Sequence, residues 1–384
     1  MANELKLFFD KALVGRIGDS FSSTWPAFPR QRFVSLATSG LDQLELMDRA
    51  RHICTALAQT LPQDRGEALD LISRSVGPEI PDGEGNGMAP FFYLPHVIFV
   101  AQHGREHFSE AMRAQHELTR RFSAEFSIRI FLEEQPERTL KQLTAWTRDK
   151  NHHVRRLVSE GTRPRPPWAP RLRAIQANPA PVLPLLEALK DDPSEYVRRS
   201  VANNLNDIAK DHPDITLSIC EHWMKDATAQ RQALVTHALR SLIKAGHPRA
   251  MAILGYGGGD GISVTGTVEP ARVHIGESTR VTLHLKNTLK QRRRVVVDLA
   301  VHFVKAAGHA APKVFKGRNL ELGPGEEATF SKSISLRVHT TRKPNAGRHE
   351  VDALVAGRAH RVGRFDVLPQ KKPQKTRSKG ARKK

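Results

Sequence analysis

Three carboxylates in this chain stand at helical intervals from arginines. Arg156 and Glu160 are four residues apart, Arg199, Asn203 and Asp207 are spaced by four, and Arg121, Glu125 and Arg129 repeat the spacing inside TRRFSAEFSIRIF. Residues four apart share one helix face, so each set draws a polar stripe. One such Arg–Glu pair is ordinary helix surface, worth roughly a few tenths of a kcal/mol. Three stripes in register on stacked helices would instead gather carboxylates flanked by apolar residues, Phe122 and Phe126 around Glu125 and Val158 before Glu160. The loop TRPRPPWAP (162–170) comes next, stiffened by prolines with fixed φ. It presents Trp168 between prolines, with Arg163 and Arg165 beside it. The bland role for Trp168 is an anchor packed into the fold. The chemical one is an aromatic face that draws a cation by its quadrupole, next to a carboxylate-lined groove. Trp146 and Trp223 fall at amphipathic positions and read as core.

The elements that must position these residues form a repeat. NHHVRRLVSEG (151–161) matches SEYVRRSVANN (194–204) at a shift of 43 residues, with Val154, Arg155, Arg156 and Val158 on Val197, Arg198, Arg199 and Val201. A weaker copy, RQALVTHALRSLIKAGHP, follows at 231–248. A period near 40 built of helix pairs is the mark of HEAT-like repeats, which stack into a solenoid with a concave face. Equivalent positions should line that face together, making Glu160 and Asn203 neighbours. Residues 1–254 therefore read as a helical repeat domain. A Gly-rich linker spans 255–263, opening with GYGGGDG. The apolar period then changes from 3.6 to 2 in segments such as TRVTLHLKN and RRVVVDLAVHFV. Six or seven short strands over 264–368 predict an all-β sandwich of immunoglobulin type. The basic, apolar-free segment 369–384 reads as a disordered tail.

Charge and composition narrow the function. The net charge is +20. From Tyr256 onward lie 27 of the 60 Lys and Arg and 10 of the 40 Asp and Glu, a net +17 that leaves +3 on the first 255 residues. Such a balance favours a polyanionic partner. The two cysteines, Cys54 and Cys220, exclude a disulfide framework or a zinc site by number and spacing. No apolar run reaches the roughly 18 residues that a membrane span needs, and MANELKLFFDKALVGRIG lacks a signal-peptide core. Neither secretion nor a membrane partner is expected. GYGGGDG lacks the Gly-Lys-Ser/Thr ending of a phosphate loop, and His152–His153 has no third ligand, so no metal and no cofactor are expected. Aromatics at 6% are too few for a single-strand stacking platform, which disfavours an RNA-binding role.

The chain resembles the AlkC branch of the AlkC/AlkD superfamily of HEAT-like repeat DNA glycosylases, in the subgroup that carries a C-terminal immunoglobulin-like domain. The resemblance runs over nearly the whole chain. It includes the blocks FSAEFSIRIFL, HHVRRLVSEGTRPRPPWAPRL and YVRRSVANNLNDIAKDHP and the PKVFK element of the sandwich, and the long, unusual stretch around SEGTRPRPPW makes the match specific. It implies a bacterial, cytoplasmic, nucleoid-associated monomer acting in base excision repair. Such a protein hydrolyses the N-glycosidic bond of cationic N3-alkylated bases, 3-methyladenine and 3-methylcytosine. The duplex is gripped and kinked, and the base is not flipped into a pocket.

That chemistry suits the residues. A base alkylated at N3 leaves as a neutral molecule, so what remains is to stabilise positive charge on the deoxyribose and to position a water. Glu160 and Asp207 are the first candidates to meet the sugar and the water, Glu125 is a third carboxylate, and Trp168 is to contact the damaged nucleotide. Arg156 is expected to orient Glu160 or bind a phosphate, and Arg199 to hold the DNA backbone. Arg155, Arg163, Arg165 and Arg198 surround the acidic positions, with Asn203 as a helper or a phosphate contact. KQRRRVVV (290–297) and TTRKPNAGRH are candidate sandwich loops to complete a clamp around the duplex. The alternative reading is a non-catalytic HEAT-repeat scaffold that binds DNA or a partner, since repeats alone do not imply chemistry.

Overall fold

The computed structural model describes residues 6–79, 88–167, 169–256, 260–305, 308–338 and 344–370. The chain divides into two compact units, Met1–Leu239 and Arg240–Lys384.

The first unit is helical. Its described helices are α1 (Lys11–Thr24), α2 (Arg30–Thr38), α3 (Leu46–Thr60), α4 (Arg65–Arg74), α5 (Leu94–His103), α6 (Phe108–Thr119) and α7 (Glu125–Glu134), then α8 (Pro136–Trp146), α9 (His152–Gly161), α10 (Arg173–Ala177), α11 (Leu183–Leu189), α12 (Glu195–Ile208), α13 (Pro213–Met224) and α14 (Ala229–Ala238). One row of helices packs in sequence: α3 on α5, α5 on α7, α7 on α9, α9 on α12 and α12 on α14. The remaining helices pack alongside, as α4 does on α6 and α13 on α14. This alternation is the HEAT-like arrangement that the 43-residue repeat predicts.

Apolar residues at helical spacing explain the stacking. Val154, Leu157 and Val158 of α9 are fully buried, as are Val197, Val201 and Leu205 of α12. The Asn151 side chain accepts from the His153 N–H and starts α9, satisfying a donor that the helix leaves unpaired. The end of α9 lies hard against α7. A Cβ on Gly161 would sit 2.6 Å from Ile128 Cγ2, closer than any side chain allows, so glycine permits this approach.

The second unit is a sandwich preceded by two short helices, α15 (Arg240–Lys244) and α16 (Pro248–Ile253), which lie on the helical side of the expected boundary at 254. Its strands are β1 (Ile262–Glu269), β2 (Arg272–His274), β3 (Ser278–Asn287), β4 (Arg293–Val304), β5 (Ala310–Leu322), β6 (Glu327–Ser335), β7 (Gly347–Val355) and β8 (Arg358–Leu368). They form two sheets, ordered β1-β3-β6 and β2-β8-β7-β4-β5. The described pairings are antiparallel apart from β2 on β8. Alternate residues such as Val281, Leu283, Leu285, Val295, Val297 and Ile334 fill the space between the sheets. Among the described residues eight strands stand where six or seven were expected.

Candidate active site

The helices α7, α9 and α12 bring the expected carboxylates into one network, together with the loop after α9. Glu125 opens α7, Glu160 lies in the last turn of α9, and Asp207 in the last turn of α12. The loop is fixed by Arg129. Its Nη1 donates to the carbonyls of Gly161 (3.0 Å) and Arg163 (2.9 Å), while Nε and Nη2 donate to the carbonyl of Pro170 at 3.0 and 2.6 Å. Both ends of the loop are thus tied to α7. Burial pushes the Arg129 guanidinium down to about 10, well above neutral, so it donates as a cation.

Arginines and carboxylates then alternate. Arg156 Nη1 lies 3.2 Å from Glu125 Oε2, and Arg156 Nη2 lies 3.5 Å from Glu160 Oε2. Arg163 Nη1 donates to Glu160 Oε1 at 2.6 Å and Arg163 Nε to Asp207 Oδ2 at 2.8 Å. Lys210 Nζ closes the row, 2.8 Å from Asp207 Oδ1. The Ser200 hydroxyl donates to Glu160 Oε2 at 2.6 Å and accepts from Ser159 at 2.7 Å. Glu160 is only 6% exposed and Asp207 1%. Burial raises the Glu160 carboxyl. The charges of Arg156 and Arg163 and the hydrogen bonds from Ser200 and Arg163 outweigh that and hold it below the usual carboxylate range. Glu160 is therefore an anion at neutral pH, which is what a group facing developing positive charge must be.

The expected arginines divide by their partners. Arg155 is committed to Asp192 through Nε (2.6 Å) and Nη2 (2.9 Å), and its Nη1 donates to the carbonyls of Asp149 and Lys150. Arg165 makes a two-pronged pair with Asp211 at 2.7 and 2.6 Å. Arg163 is buried between Glu160 and Asp207. Arg198 donates to the carbonyls of Asp192 and Pro193. Arg199 is exposed, makes no ion pair among the described residues, and lines an open cleft of about 490 Å³ with Glu195, Arg198 and His237. Trp168 lies outside the described residues, as do Arg342 and Lys343 of the second sandwich loop.

Two expected stripes do not run as drawn. Arg121 lies in the turn before α7, where its Nη1 donates to Glu117 at 2.9 Å. Asp207 shares its face with Ser200, about 20° away round the helix, and not with Arg199. Eight residues at 100° each put Asp207 about 80° round the helix from Arg199. The polar seam facing α9 is accordingly Ser200, Asn204 and Asp207. Asn204 donates to the Ser159 carbonyl at 2.8 Å and to Thr162 at 3.0 Å. Asn203 turns toward the following helix and bonds His237 at 3.0 Å, so the hydrogen-bond partner of Glu160 across the seam is Ser200.

The structure is similar to that of the Pseudomonas fluorescens alkylpurine DNA glycosylase AlkC, solved bound to DNA containing an abasic site analog. The match covers 95% of this chain and 99% of that one, with 38% identical residues and a TM-score of 0.83. The chain belongs to the AlkC family. It is also 34% identical over 356 residues to the uncharacterized protein YhaZ of Bacillus subtilis (strain 168), covering 92% of this chain and 96% of that protein. Residues 263–369 match the family model of the C-terminal Ig-like domain of YhaZ. The expected architecture, a HEAT-like AlkC unit followed by an immunoglobulin-like sandwich, is the observed one.

Among the residues at this candidate site that sequence reasoning passed over, Ser200 and Tyr196 stand out. Ser200 gave no signal, because a lone serine in a helix has no pattern. Tyr196 did give one. It is the repeat equivalent of His153, 43 residues on, and the two rings lie 5.7 Å apart. Tyr196 is 44% exposed, unusual for a large aromatic side chain, and the Arg156 guanidinium sits 5.0 Å from its ring centre.

Proposed function

We propose that the protein is a DNA glycosylase that removes alkylated bases from duplex DNA, acting on cationic N3-alkylated bases such as 3-methyladenine and 3-methylcytosine. The observation that carries this reading is the alternating row Glu125–Arg156–Glu160–Arg163–Asp207. A protein that only gripped phosphates would gain nothing from carboxylates at such a place, because they repel the backbone. The DNA-bound AlkC relative supports duplex DNA as the partner.

The chemistry follows from charge. The glycosidic electron pair leaves with the alkylated base, which departs neutral, so no strong general acid is needed. Positive charge grows on the deoxyribose, and Glu160, held anionic, is placed in the role of stabilising it. The attacking water bonds to C1′ and gives its proton to a carboxylate, Glu160 or Asp207, leaving an abasic site for base excision repair. Glu125 is the third carboxylate of the same site, and Trp168 contacts the damaged nucleotide. Arg163 keeps Glu160 charged and aims both Glu160 and Asp207. Arg199 binds the backbone, with Asn203 as a helper, while Arg155 and Arg165 act through Asp192 and Asp211. The base is not flipped into a pocket. The sandwich adds backbone contacts, and the protein works as a monomer in the cytoplasm, at the nucleoid.

The test is incubation of the full chain with duplex DNA carrying one 3-methylcytosine, followed by alkaline cleavage. A strand break at the lesion is expected. An intact strand, with the duplex bound, would leave a non-catalytic scaffold as the function.

A further inference from the structure

The three carboxylates of the network differ in what stands against their oxygens. Asp207 Oδ1 accepts from the Lys210 ammonium and Oδ2 from the Arg163 guanidinium, each at 2.8 Å. These cations donate only, so neither can turn round to receive a proton. Glu125 Oε2 accepts from the Ser123 hydroxyl at 3.1 Å. That hydroxyl oxygen already accepts from the Glu125 N–H at 3.3 Å and from Arg156 Nη1 at 3.4 Å, which occupies both its lone pairs. Glu160 is different. Arg163 holds its Oε1 at 2.6 Å, and Arg156 reaches Oε2 only at 3.5 Å. The close partner of Oε2 is the Ser200 hydroxyl at 2.6 Å. Ser200 Oγ lies 2.7 Å from Ser159 Oγ, which lies 3.0 Å from the Arg156 carbonyl. Both serines are buried in the seam between α9 and α12.

Ser159 thus has one hydrogen and two acceptors within reach, and its choice sets the direction of the whole chain. With Glu160 anionic, Ser159 donates to Ser200 and Ser200 to Oε2. A proton on Oε2 reverses every bond: Glu160 donates to Ser200, Ser200 to Ser159, and Ser159 to the Arg156 carbonyl. Both arrangements keep the buried hydroxyls bonded without displacing a side chain. We infer that Glu160 takes the proton of the attacking water on Oε2, and that Ser200 and Ser159 are positioning residues that accommodate it by reversing their hydrogen bonds. Asp207, which meets only donors, is left the electrostatic role. This rests on the glycosylase reading and names the carboxylate that completes it. The water oxygen bonds to C1′, one of its O–H bonds breaks, and that proton goes to Oε2. The glycosidic electron pair has already left with the base. Water bound to a positive sugar is a strong acid, so a carboxylate with a stabilised charge still accepts its proton.

Ser200→Ala separates the carboxylates. The charged groups acting on Glu160 all remain in this variant: Arg156 of its own helix, Arg163 of the loop, Glu125 and Arg129 of α7, and Asp207 of α12 beyond Arg163. Only the donor to the Glu160 anion is lost, so the carboxyl should protonate at higher pH. The full chain is assayed on duplex carrying 3-methylcytosine, in single turnovers between about pH 4 and 8. The acid limb of the rate should move up by about one pH unit, with duplex affinity unchanged, and Ser200→Thr should move it back. An unmoved limb would give the proton to another carboxylate and overturn the proposal. Ser159→Ala keeps the Ser200 bond but removes the acceptor that reversal needs. Its rate at neutral pH should fall about tenfold, and a wild-type rate counts equally against the chain. Thermal midpoints test the coupling without turnover. The gap between wild type and Ser200→Ala should be widest at neutral pH. It should narrow as the pH falls through the folded carboxyl's value, below the ordinary 4.5, and lose that pH dependence in a Glu160→Gln background. Excision with a fixed acid limb sinks the hydroxyl chain alone. Wild-type protein that excises nothing sinks the glycosylase reading and the proton step with it, while a gap independent of pH sinks the coupling of Ser200 to Glu160.

Discussion

Arg163 Nε lies 2.8 Å from Asp207 Oδ2, joining a loop residue to a helix residue 44 positions later. The same guanidinium holds Glu160 at 2.6 Å. One buried cation thereby fixes two carboxylates from adjacent repeats at a set separation, a geometry that a rigid, forked guanidinium maintains and an ammonium does not. Replacing Arg163 with Met should cost about 3–5 kcal/mol of unfolding free energy, because it leaves two buried carboxylates short of a partner. Arg163→Lys should recover part of that. Urea denaturation followed by circular dichroism measures both, and a loss under about 1 kcal/mol for the Met variant would contradict the account.

Glu160→Gln preserves shape and removes charge. Excision should fall by about 100-fold or more, with duplex affinity unchanged. Asp207→Asn should act in the same direction. Single-turnover excision beside fluorescence anisotropy separates the two quantities, and wild-type rates in both variants would refute the assignment.

The acid limb of stability carries a signature of Glu160. Its folded carboxyl is held below its ordinary value of 4.5, so its contribution is present above that pH and is lost as pH falls through the lower folded value. Thermal midpoints of the wild type and Glu160→Gln should therefore lie furthest apart at neutral pH and converge as the pH drops below about 4. A gap that stayed constant down to pH 3 would mean that the carboxyl gains nothing from Arg156 and Arg163.

Arg199 and Arg155 occupy the same position of their V-R-R repeats to within one residue, yet should fail in different assays. Arg199→Ala should weaken duplex binding, with the slope of log Kd against log salt falling by about 0.9 for one lost phosphate contact. Arg155→Ala should leave that slope alone and lower the thermal midpoint, since it strands the buried Asp192. Equal salt slopes in Arg199→Ala and the wild type would remove Arg199 from the DNA interface.

At Gly161 even one methyl group is too many. An alanine Cβ would press on Ile128 at 2.6 Å, and parting α7 from α9 would disturb the Arg129 bond to the Gly161 carbonyl. A cost of about 1–3 kcal/mol is expected, read by chemical denaturation. A neutral substitution would mean that the two helices separate freely.

The repeat made the stacking of α9 on α12 legible from the chain alone, because Val154, Val158, Val197 and Val201 must be buried on the same face wherever the repeat recurs. Period change made the sandwich legible in the same way. The carboxylates were found by spacing, but their partners were not. Arg163 sits in a proline-rich loop and looked like a surface cation, whereas its depth is set by Arg129, which draws the loop inward through three carbonyls. No local pattern encodes that pull. The face carrying Asp207 was misdrawn because a spacing of four drifts by 40° at every step, so two steps leave the stripe. Tyr196 could have been found by carrying His153 across the repeat.

The hydroxyl of Ser200 reaches Glu160 across the seam between α9 and α12, and Arg163 ties the same carboxylate to the far end of α12. Neither helix holds the carboxylate network in isolation. Should α12 peel away, Glu160 would keep its Arg156 and Arg163 contacts but lose the hydroxyl, and Arg163 would lose its second anchor. Under the proposed function, base excision doubles as a gauge of repeat cohesion: a protein whose last repeats have loosened should stop excising before it unravels.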